Sequence, residues 1–351
     1  MVANICINGY HDGSISIVDE NGVVAHLLEE RYVHVKHQGP PMVCLSKIED
    51  YIDTFEDLSF THLFHQFADF NWAIAYLHYI SKITTPDKLM TPMIHSGHHD
   101  LHAICAFSHS GFDNALVVVI DGAGSTFEYG KENQTIYEIY DSSIQILEKN
   151  LVGDGTLIDV QDCPDYVNKK TNIGAGYVYA GVTETCGFNA LDCGKTMGLS
   201  AYGEEDSSIP ELLSFSDGGN KNFVLGGKPN LEYQGYVFAV LKDYPIKEFI
   251  MDNDNMDCLI PPFNKLTDEQ KTVLTNYAYR VQKDYEDYLI ATCHRVIKNV
   301  KCKNLILTGG CALNCVANYK LLKSLPEDIN LYVEPVSDDS GVSLGGAYQE
   351  H

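Results

Sequence analysis

The sequence predicts an α/β protein of two lobes with a cleft between them. An apolar strand followed by a glycine turn and a hairpin occurs twice, near residues 4–30 and again near 115–141. The chain also finishes on an alternation of strands and helices, at residues 304–349. With 351 residues, of which 45 % are hydrophobic and 21 % charged, it is long enough for two globular cores.

The first of these units is predicted to contain three strands. The Asn21-Gly22 pair lies between two alternating segments, which is a strong hairpin signal. The expected strands are residues 4–9, 14–19 and 23–30. The second unit repeats the pattern about 110 residues later: residues 115–130 contain an apolar strand, a glycine-rich turn and a second strand, and residues 132–141 form the return strand. We therefore predict an internal duplication, with one lobe at 1–113 and the other at 114–351, the last helix returning to the first lobe.

Helices are expected between and after these units. Residues 66–83 carry apolar side chains at helical spacing and a single tryptophan, Trp72, which we assign to a core. Residues 251–264 read as a polar loop. A long helix is predicted to begin after Thr267, because Gln270 completes a capping box, and to run to about residue 300. The expected final elements are a strand at 304–310, a helix at 311–325, a strand at 329–335 and a helix at 340–349.

Charge and composition exclude several classes of protein. The formal net charge of −24 argues against sequence-independent binding of nucleic acid, which requires clustered Lys and Arg. No apolar run is long enough to span a bilayer, and the first residues lack the pattern of a signal peptide. The eleven cysteines are scattered and odd in number, which favours reduced thiols and a cytoplasmic location.

Histidines are crowded into one short stretch, "HSGHHDLH", at positions 95, 98, 99 and 102. On a helix, His98 and His102 lie on one face and can reach one cation, whereas His95 and His99 point elsewhere. A polar helix end with hydrogen-bonded imidazoles is the alternative.

Acids at two strand ends are candidate partners for these imidazoles. Asp121 ends the strand "LVVVID", and Asp338 and Asp339 follow another strand and open a helix. Bracing of a turn and capping of a helix are their alternative roles. Two imidazoles and two carboxylates suit Fe(II), Mn(II) or Zn(II) better than Mg(II).

Two glycine-rich stretches are candidate phosphate sites. In "LTGGCALN", Gly309 and Gly310 separate a buried strand from a helix start, where backbone can approach a phosphate. In "GKTMGLSAYG", Lys195 can meet a phosphate as a point charge or be solvated.

Taken together, these stretches resemble a known family. The segments "GYHDGSISIVDENG", "EERYVHVKH", "HHDLHAICAF", "ALVVVIDGAGS", "GKTMGLSAYG", "TGGCALNCVAN" and "PVSDDSGVSLGGA" occur in the order of the carbamoyltransferases of nodulation and antibiotic synthesis. Their N-terminal domain is similar to the catalytic subunit of tRNA threonylcarbamoyladenosine synthesis, within the superfamily of actin, sugar kinases and heat-shock ATPases. The resemblance covers nearly the whole chain and implies a duplicated actin-like fold.

The resemblance assigns roles residue by residue. It implies metal ligands at His98, His102, Asp121 and Asp339, the last because the ligand lies two residues before Gly341. Iron is the usual metal of the family, with zinc or manganese as alternatives. The residues implied in binding nucleotide are Lys195, Gly198, Gly309, Gly310 and Asn314. The residues implied at the carbamoyl and phosphate end are His11, Asp12 and Lys36.

The chain departs from the family pattern at two places. Cys193 stands where the family usually has a glutamate before Gly-Lys, which puts a contact made by that acid in doubt. Family members also continue into a second domain that makes carbamoyladenylate from carbamoyl phosphate and ATP. We expect this chain to receive carbamoyladenylate from an activating domain that is a separate partner or was removed.

The expected function is metal-dependent transfer of a carbamoyl group from carbamoyl-AMP to the hydroxyl of a small-molecule acceptor. From residue type alone, either His11 or Asp12 is a candidate general base. One alternative is an actin-like ATPase or kinase using Mg²⁺ and nucleotide, against which the two histidines argue. The other is a non-catalytic, nucleotide-binding subunit of a carbamoylation complex.

Overall fold

The computed structural model describes residues 2–52, 57–63, 97–127, 130–140, 143–152, 166–170, 174–213 and 266–349. The predicted helix at 66–83 with Trp72, the loop at 251–264 and His95 lie outside the described residues. The described residues form eleven strands and nine helices, with short 3₁₀ turns at Ser200–Tyr202 and Gly310–Leu313.

The strands form two sheets. The first, of order β3-β2-β1-β4, contains β1 (Val2–Asn8), β2 (Ser14–Asp19), β3 (Gly22–Leu28) and β4 (Asp57–Leu63). The second, of order β11-β10-β5-β7-β8-β9, contains β5 (Asn114–Ile120), β7 (Gly130–Tyr140), β8 (Ser143–Val152), β9 (Val167–Lys170), β10 (Asn304–Thr308) and β11 (Asn330–Val333). The short β6 (Thr126–Phe127) pairs with β7.

The helices are α1 (Glu29–Val33), α2 (Met42–Leu45), α3 (Glu49–Ile52), α4 (His98–Ser110), α5 (Ala175–Thr185), α6 (Cys193–Leu199), α7 (Asp268–Asn299), α8 (Cys315–Ser324) and α9 (Gly341–Tyr348). None of these helices is both long and apolar enough to cross a membrane.

Two antiparallel three-stranded units repeat along the chain. In the first, β1 pairs with β2 and β2 with β3, and the Asn21-Gly22 turn is possible because Gly22 has a φ of +116°. In the second, β5 pairs with β7 and β7 with β8. The strand order β3-β2-β1-β4 therefore recurs as β8-β7-β5-β10.

The chain forms two compact units. Unit 1 comprises residues 1–113, 306–310 and 332–351, and unit 2 comprises 114–305 and 311–331. In unit 1, the small Ala347 of α9 lies in one apolar cluster with Cys6 and Val18 of the sheet. Long α7 belongs to unit 2 and begins at a capping box in which Thr267 and Gln270 bond to each other's backbone, as predicted.

Several element bounds differ from the sequence predictions. Glu29 and Glu30 were expected in the third strand but begin α1, because the carboxylate of Glu29 is buried and accepts from the N–H groups of Val43 and Cys44. The helix expected at 311–325 begins only at Cys315, after the 3₁₀ turn, because the side chain of Asn314 caps it. Residues 115–130 agree with the prediction, because the apolar strand ends at Ile120 and a turn leads to a second strand, the short β6.

Candidate metal centre and nucleotide-binding loops

Helix α4 places two imidazoles on one face of unit 1. It begins after Gly97, whose N–H donates to Asp100 at 2.7 Å, and it ends at Gly111, which has a φ of +69°. His98 and His102, four residues apart, are both buried, and their Nε2 atoms are 3.1 Å apart. Their rings meet edge to face, with centroids 4.7 Å apart.

Asp339 presents its carboxylate to these imidazoles. Its Oδ1 lies 3.4 Å from Nε2 of His98 and 3.7 Å from Nε2 of His102. Its backbone carbonyl accepts from the side chain of Asn8 at 3.0 Å, which ties this loop to the end of β1. The side chain of Asp338, by contrast, accepts a hydrogen bond from the N–H of Ser340. The structure thus distinguishes Asp339 from Asp338 as the neighbour of the two imidazoles, a choice that the residue types alone did not decide.

The packing of α9 on α4 holds the acid near the histidines. Gly345 of α9 lies against the backbone of α4 so closely that an added Cβ would be 2.0 Å from the carbonyl oxygen of Leu101. Only glycine allows such an approach. Asp339 lies two residues before α9, so this contact fixes its position relative to His98 and His102.

The donor set of this cluster fits a divalent cation. Bonds of about 2.0–2.1 Å from a cation to nitrogen or oxygen put tetrahedral ligands about 3.3 Å apart, and octahedral neighbours about 3.0 Å. The three separations of 3.1, 3.4 and 3.7 Å lie near these values. Two imidazoles and a carboxylate are ligands typical of iron, zinc or manganese sites.

The cluster favours the ionised form of its acid. Burial of Asp339 opposes ionisation, but the positive charge of His98 and hydrogen bonds from His102 and His98 hold its pKa well below the usual range. A bound cation would take the place of this positive charge, because imidazoles that ligate a cation are neutral.

His11 and Asp12 form a second polar group beside this cluster. Nδ1 of His11 is 2.8 Å from Oδ2 of Asp12, and its Nε2 is 3.4 Å from Oδ2 of Asp339. Burial would raise the pKa of Asp12, but hydrogen bonds from His11 and His37 outweigh it and lower that pKa. The hydrogen bond to Asp12 in turn raises the pKa of His37.

His37 is a residue of this group that the sequence analysis missed. Its Nδ1 lies 2.7 Å from Oδ1 of Asp12, so the carboxylate bridges two imidazoles. The neighbouring Lys36, which the resemblance implicates, is exposed. In the structure, Asp12, His34 and His37 all adopt positive φ, between 54° and 57°. Such conformations cluster at functional sites, but they are not readable from residue type.

Asp121 follows β5 in unit 2, as the strand pattern predicts. Its N–H donates to the carbonyl of Asn133 at 2.9 Å, which continues the pairing with β7. Gly176 of α5 lies against its backbone, where a Cβ would be 2.6 Å from the carbonyl oxygen of Asp121. The side chain is buried, with 8 % of the residue exposed. Asp121 thus has a fixed backbone position in its unit.

The stretch with Lys195 and Gly198 lies on α6 in unit 2. Lys195 is half exposed, its Nζ is 2.7 Å from Oδ2 of Asp192, and it lies over the ring of Phe188. A Cβ on Gly198 would contact nothing within 4 Å. The Cys193 thiol donates to the carbonyl of Ala190, and burial raises its pKa to about 11. Cys193 is therefore a neutral group where the family usually has an acid.

The second glycine stretch follows β10. Gly309 has a φ of +85°, which explains the need for glycine there, and Gly310 opens the 3₁₀ turn. In unit 2, Asn314 caps α8 by accepting from Ala317, and its amide pairs with that of Gln282 at 2.8 and 3.1 Å. Asn314 is thus held by α7, a partner 32 residues away that the sequence analysis did not identify.

A family model described as the carbamoyltransferase N-terminus matches residues 45–348. The chain belongs to this family of carbamoyltransferase N-terminal domains. Among curated relatives, an uncharacterized Synechocystis protein, sll1178, is 26 % identical and matches 96 % of the chain and 55 % of its own length. The nodulation protein NolO of Bradyrhizobium diazoefficiens is 28 % identical over 71 % of the chain and 37 % of its own length. The chain thus spans about half, or less, of these relatives.

The fold of this carbamoyltransferase domain also resembles a solved structure. HypF of T. kodakarensis aligns with 99 % of the chain and 47 % of its own length, at 10 % identity and a TM-score of 0.53. This likeness concerns the fold alone. With the two repeated strand units, it confirms the predicted α/β class and actin-like fold.

Proposed function

We propose that the chain transfers a carbamoyl group from carbamoyl-AMP to the hydroxyl of a small-molecule acceptor, with the help of a divalent cation. The observation that carries the proposal is the buried cluster of His98, His102 and Asp339 in a member of this family. We propose Asp121 as the fourth ligand and iron(II) as the cation, with zinc or manganese as alternatives. When bound, the cation would supply Lewis-acid polarisation of an oxygen of the anhydride.

The proposed transfer requires a base for the acceptor hydroxyl. The acceptor oxygen bonds to the carbamoyl carbon, the bond from that carbon to the phosphate oxygen breaks, and AMP departs. Of the two candidate bases, His11 suits the role better, because Asp12 has a lowered pKa and is a weak base. Asp12 accepts the proton on Nδ1 of His11, so the hydroxyl proton would be taken by Nε2, which also faces Oδ2 of Asp339 at 3.4 Å.

The remaining predicted residues are proposed to hold the nucleotide and its phosphate. Gly309 and Gly310 allow backbone N–H groups to approach phosphate, while Lys36 and Lys195 bring positive charge to it. Asn314 retains one amide hydrogen beyond its bonds to Gln282 and Ala317, so at most one donor of this amide is available to a ribose. The activating domain that makes carbamoyl-AMP is proposed to act as a partner or a linked domain.

Metal analysis of matched variants tests the cation site. His102→Ala is expected to lose stoichiometric iron or zinc, whereas His99→Ala, equally buried on the same helix, is expected to keep it. Full metal content in His102→Ala would contradict the ligand assignment. A chain that binds only Mg²⁺ and hydrolyses ATP would favour the kinase alternative instead.

Turnover tests the transfer itself. The chain is incubated with carbamoyl phosphate, ATP, a separate carbamoyladenylate-forming enzyme and a pool of hydroxylated small molecules, and carbamoyl adducts are sought by mass spectrometry. His11→Gln is expected to lower adduct formation by about 10²- to 10⁴-fold while metal content is unchanged. Bound metal and nucleotide without any adduct would favour the regulatory-subunit alternative.

A further inference from the structure

A second group of metal-binding side chains lies further along α4 in unit 1. Cys105 and His109 are one helical turn apart, and Glu334 follows β11. Sγ of Cys105 is 3.9 Å from Nδ1 of His109, and that nitrogen is 3.1 and 3.2 Å from the two oxygens of Glu334. All the donor atoms of this group lie within 4.8 Å of one another.

The donors of this group include a thiol, which the first cluster lacks. A thiolate, an imidazole and a carboxylate are the ligands that zinc takes at about 2.3, 2.0 and 2.1 Å. Tetrahedral bonds of these lengths separate sulfur from nitrogen by about 3.6 Å and nitrogen from oxygen by about 3.4 Å. The structure has 3.9 and 3.1 Å, so small side-chain rotations suffice.

Outer hydrogen bonds already orient the group. Glu334 accepts from the hydroxyl of Tyr332 at 3.2 Å and from the N–H of Val336 at 3.0 Å. The ring of His109 packs edge to face on Tyr348, with centroids 5.5 Å apart. Such supporting contacts are typical of metal ligands, whose orientation they fix.

His26 offers a further imidazole nitrogen in the same unit. Nδ1 of His26 bonds to the hydroxyl of Ser16 at 2.9 Å, while its Nε2 is buried and has no hydrogen-bond partner among the described residues. Burial lowers the pKa of the His26 imidazole to about 4, so this nitrogen is neutral, as a metal ligand must be.

Charge balance also favours a divalent cation here. Glu334 and Cys105 are each only 1 % exposed, so an uncompensated carboxylate is costly. A doubly charged cation with one thiolate, one carboxylate and neutral imidazole has no net charge. Burial and the charge of Glu334 raise the pKa of the Cys105 thiol, so formation of the thiolate requires the positive charge of a bound cation.

We propose that Cys105, His109 and Glu334 form a second, structural site for Zn²⁺ or a similar thiolate-binding cation. Binding forms bonds from the cation to sulfur, nitrogen and oxygen, and it releases the thiol proton, plus the second proton of His109 where that imidazole is charged. The site joins α4 to the segment that leads to Asp339, yet it shares no ligand with the first cluster.

Cobalt titration of the full chain tests the proposal, because a cobalt–thiolate bond has a charge-transfer band in the near ultraviolet. The wild type is expected to develop this band with one equivalent of Co²⁺ bound to sulfur. Cys105→Ser is expected to lose the band, whereas the control Cys315→Ser, which alters an exposed cysteine, is expected to keep it. His102→Ala is expected to keep it as well, which separates this site from the proposed transferase metal.

A second variant covers the case in which Cys105→Ser does not fold. His109→Phe keeps the ring packing against Tyr348 and removes the nitrogen, and it is expected to weaken the band's apparent affinity by at least about tenfold. Absence of the band from saturated wild type, or its persistence in Cys105→Ser, would overturn the proposal and leave a hydrogen-bonded His109–Glu334 ion pair.

Discussion

Replacing Gly345 with alanine is expected to disturb both the stability of unit 1 and its candidate metal centre. The new Cβ would lie 2.0 Å from the carbonyl oxygen of Leu101, against at least 3.4 Å for an ordinary contact. Helices α9 and α4 must therefore separate by about 1.4 Å, because neither the new methyl group nor the backbone carbonyl of Leu101 can rotate away.

The size of the effect follows from two opposing contributions. Overpacking of this kind typically costs about 1–3 kcal/mol, and a backbone clash belongs at the upper end of that range. In the opposite direction, replacing glycine with alanine inside a helix raises the free energy of unfolding by about 1 kcal/mol. Gly194→Ala, in the first turn of α6, has at most this helical benefit and nothing within 4 Å of the new Cβ. The two variants are therefore expected to differ by about 2–3 kcal/mol in unfolding free energy.

The same displacement is expected to weaken metal binding. Metal–ligand distances tolerate deviations of about 0.2 Å, whereas the Gly345→Ala clash moves the helix behind Asp339 by more than an ångström relative to His98 and His102. We expect at least a tenfold higher free Zn²⁺ concentration at half-occupancy of the site.

Urea unfolding of both metal-free variants measures the stability difference, because bound metal would otherwise add its own stabilisation. Equilibrium dialysis against buffered Zn²⁺ measures the metal affinity of the cluster of His98, His102 and Asp339. Both variants carry Cys105→Ser for this measurement, so that the second proposed site does not contribute. Equal unfolding free energies for Gly345→Ala and Gly194→Ala, with unchanged metal affinity, would refute the argument from close packing.

Two further predictions concern buried charges. Folding raises the pKa of His37 and lowers that of Asp12. Their pairing therefore stabilises the fold most between about pH 4 and 6.5; it is lost as the pH rises through the folded pKa of His37 or falls through that of Asp12. The stability difference between metal-free wild type and His37→Gln should follow this window, and a pH-independent difference would contradict it. In unit 2, Nζ of Lys149 is 2.6 Å from Oε2 of the fully buried Glu132. Lys149→Met should therefore lower the free energy of unfolding, measured by chemical denaturation, by about 3–5 kcal/mol. Adding Glu132→Gln should recover part of that loss; a double variant no better than the single one would count against an ion-pair origin.

Local patterns made much of the fold predictable. The Asn21-Gly22 turn, the Thr267–Gln270 capping box and the four-residue spacing of His98 and His102 each involve neighbours in sequence, and each forms as expected. Strands β8 and β9 were not predicted. Half of the residues of β8 are polar, and register shifts in its pairing with β7 interrupt the alternation that identifies a strand.

Residues whose roles depend on distant partners were harder to predict. His37 joins the site because Asp12, 25 positions earlier, turns toward it from a left-handed backbone conformation. The choice between Asp338 and Asp339 depends on how α9 packs on α4, which spacing does not encode; only the family resemblance distinguished them. Glu334 had no signal of its own, because its partner His109 lies 225 positions away.

Unit 1 is assembled from separate segments of the chain, which has a consequence for its synthesis. Strand β1 bonds through Asn4 to Ala347, and the hydroxyls of Ser14 and Ser16 in β2 bond to Ser343. About 220 residues separate the first 113 from the segment that begins at 332. At roughly 5–20 residues per second, a ribosome needs on the order of 10–40 s to make them. For that time the nascent sheet lacks the helix that covers Cys6 and Val18, so a chaperone that shields apolar strands has its longest opportunity to act on this part of the nascent chain.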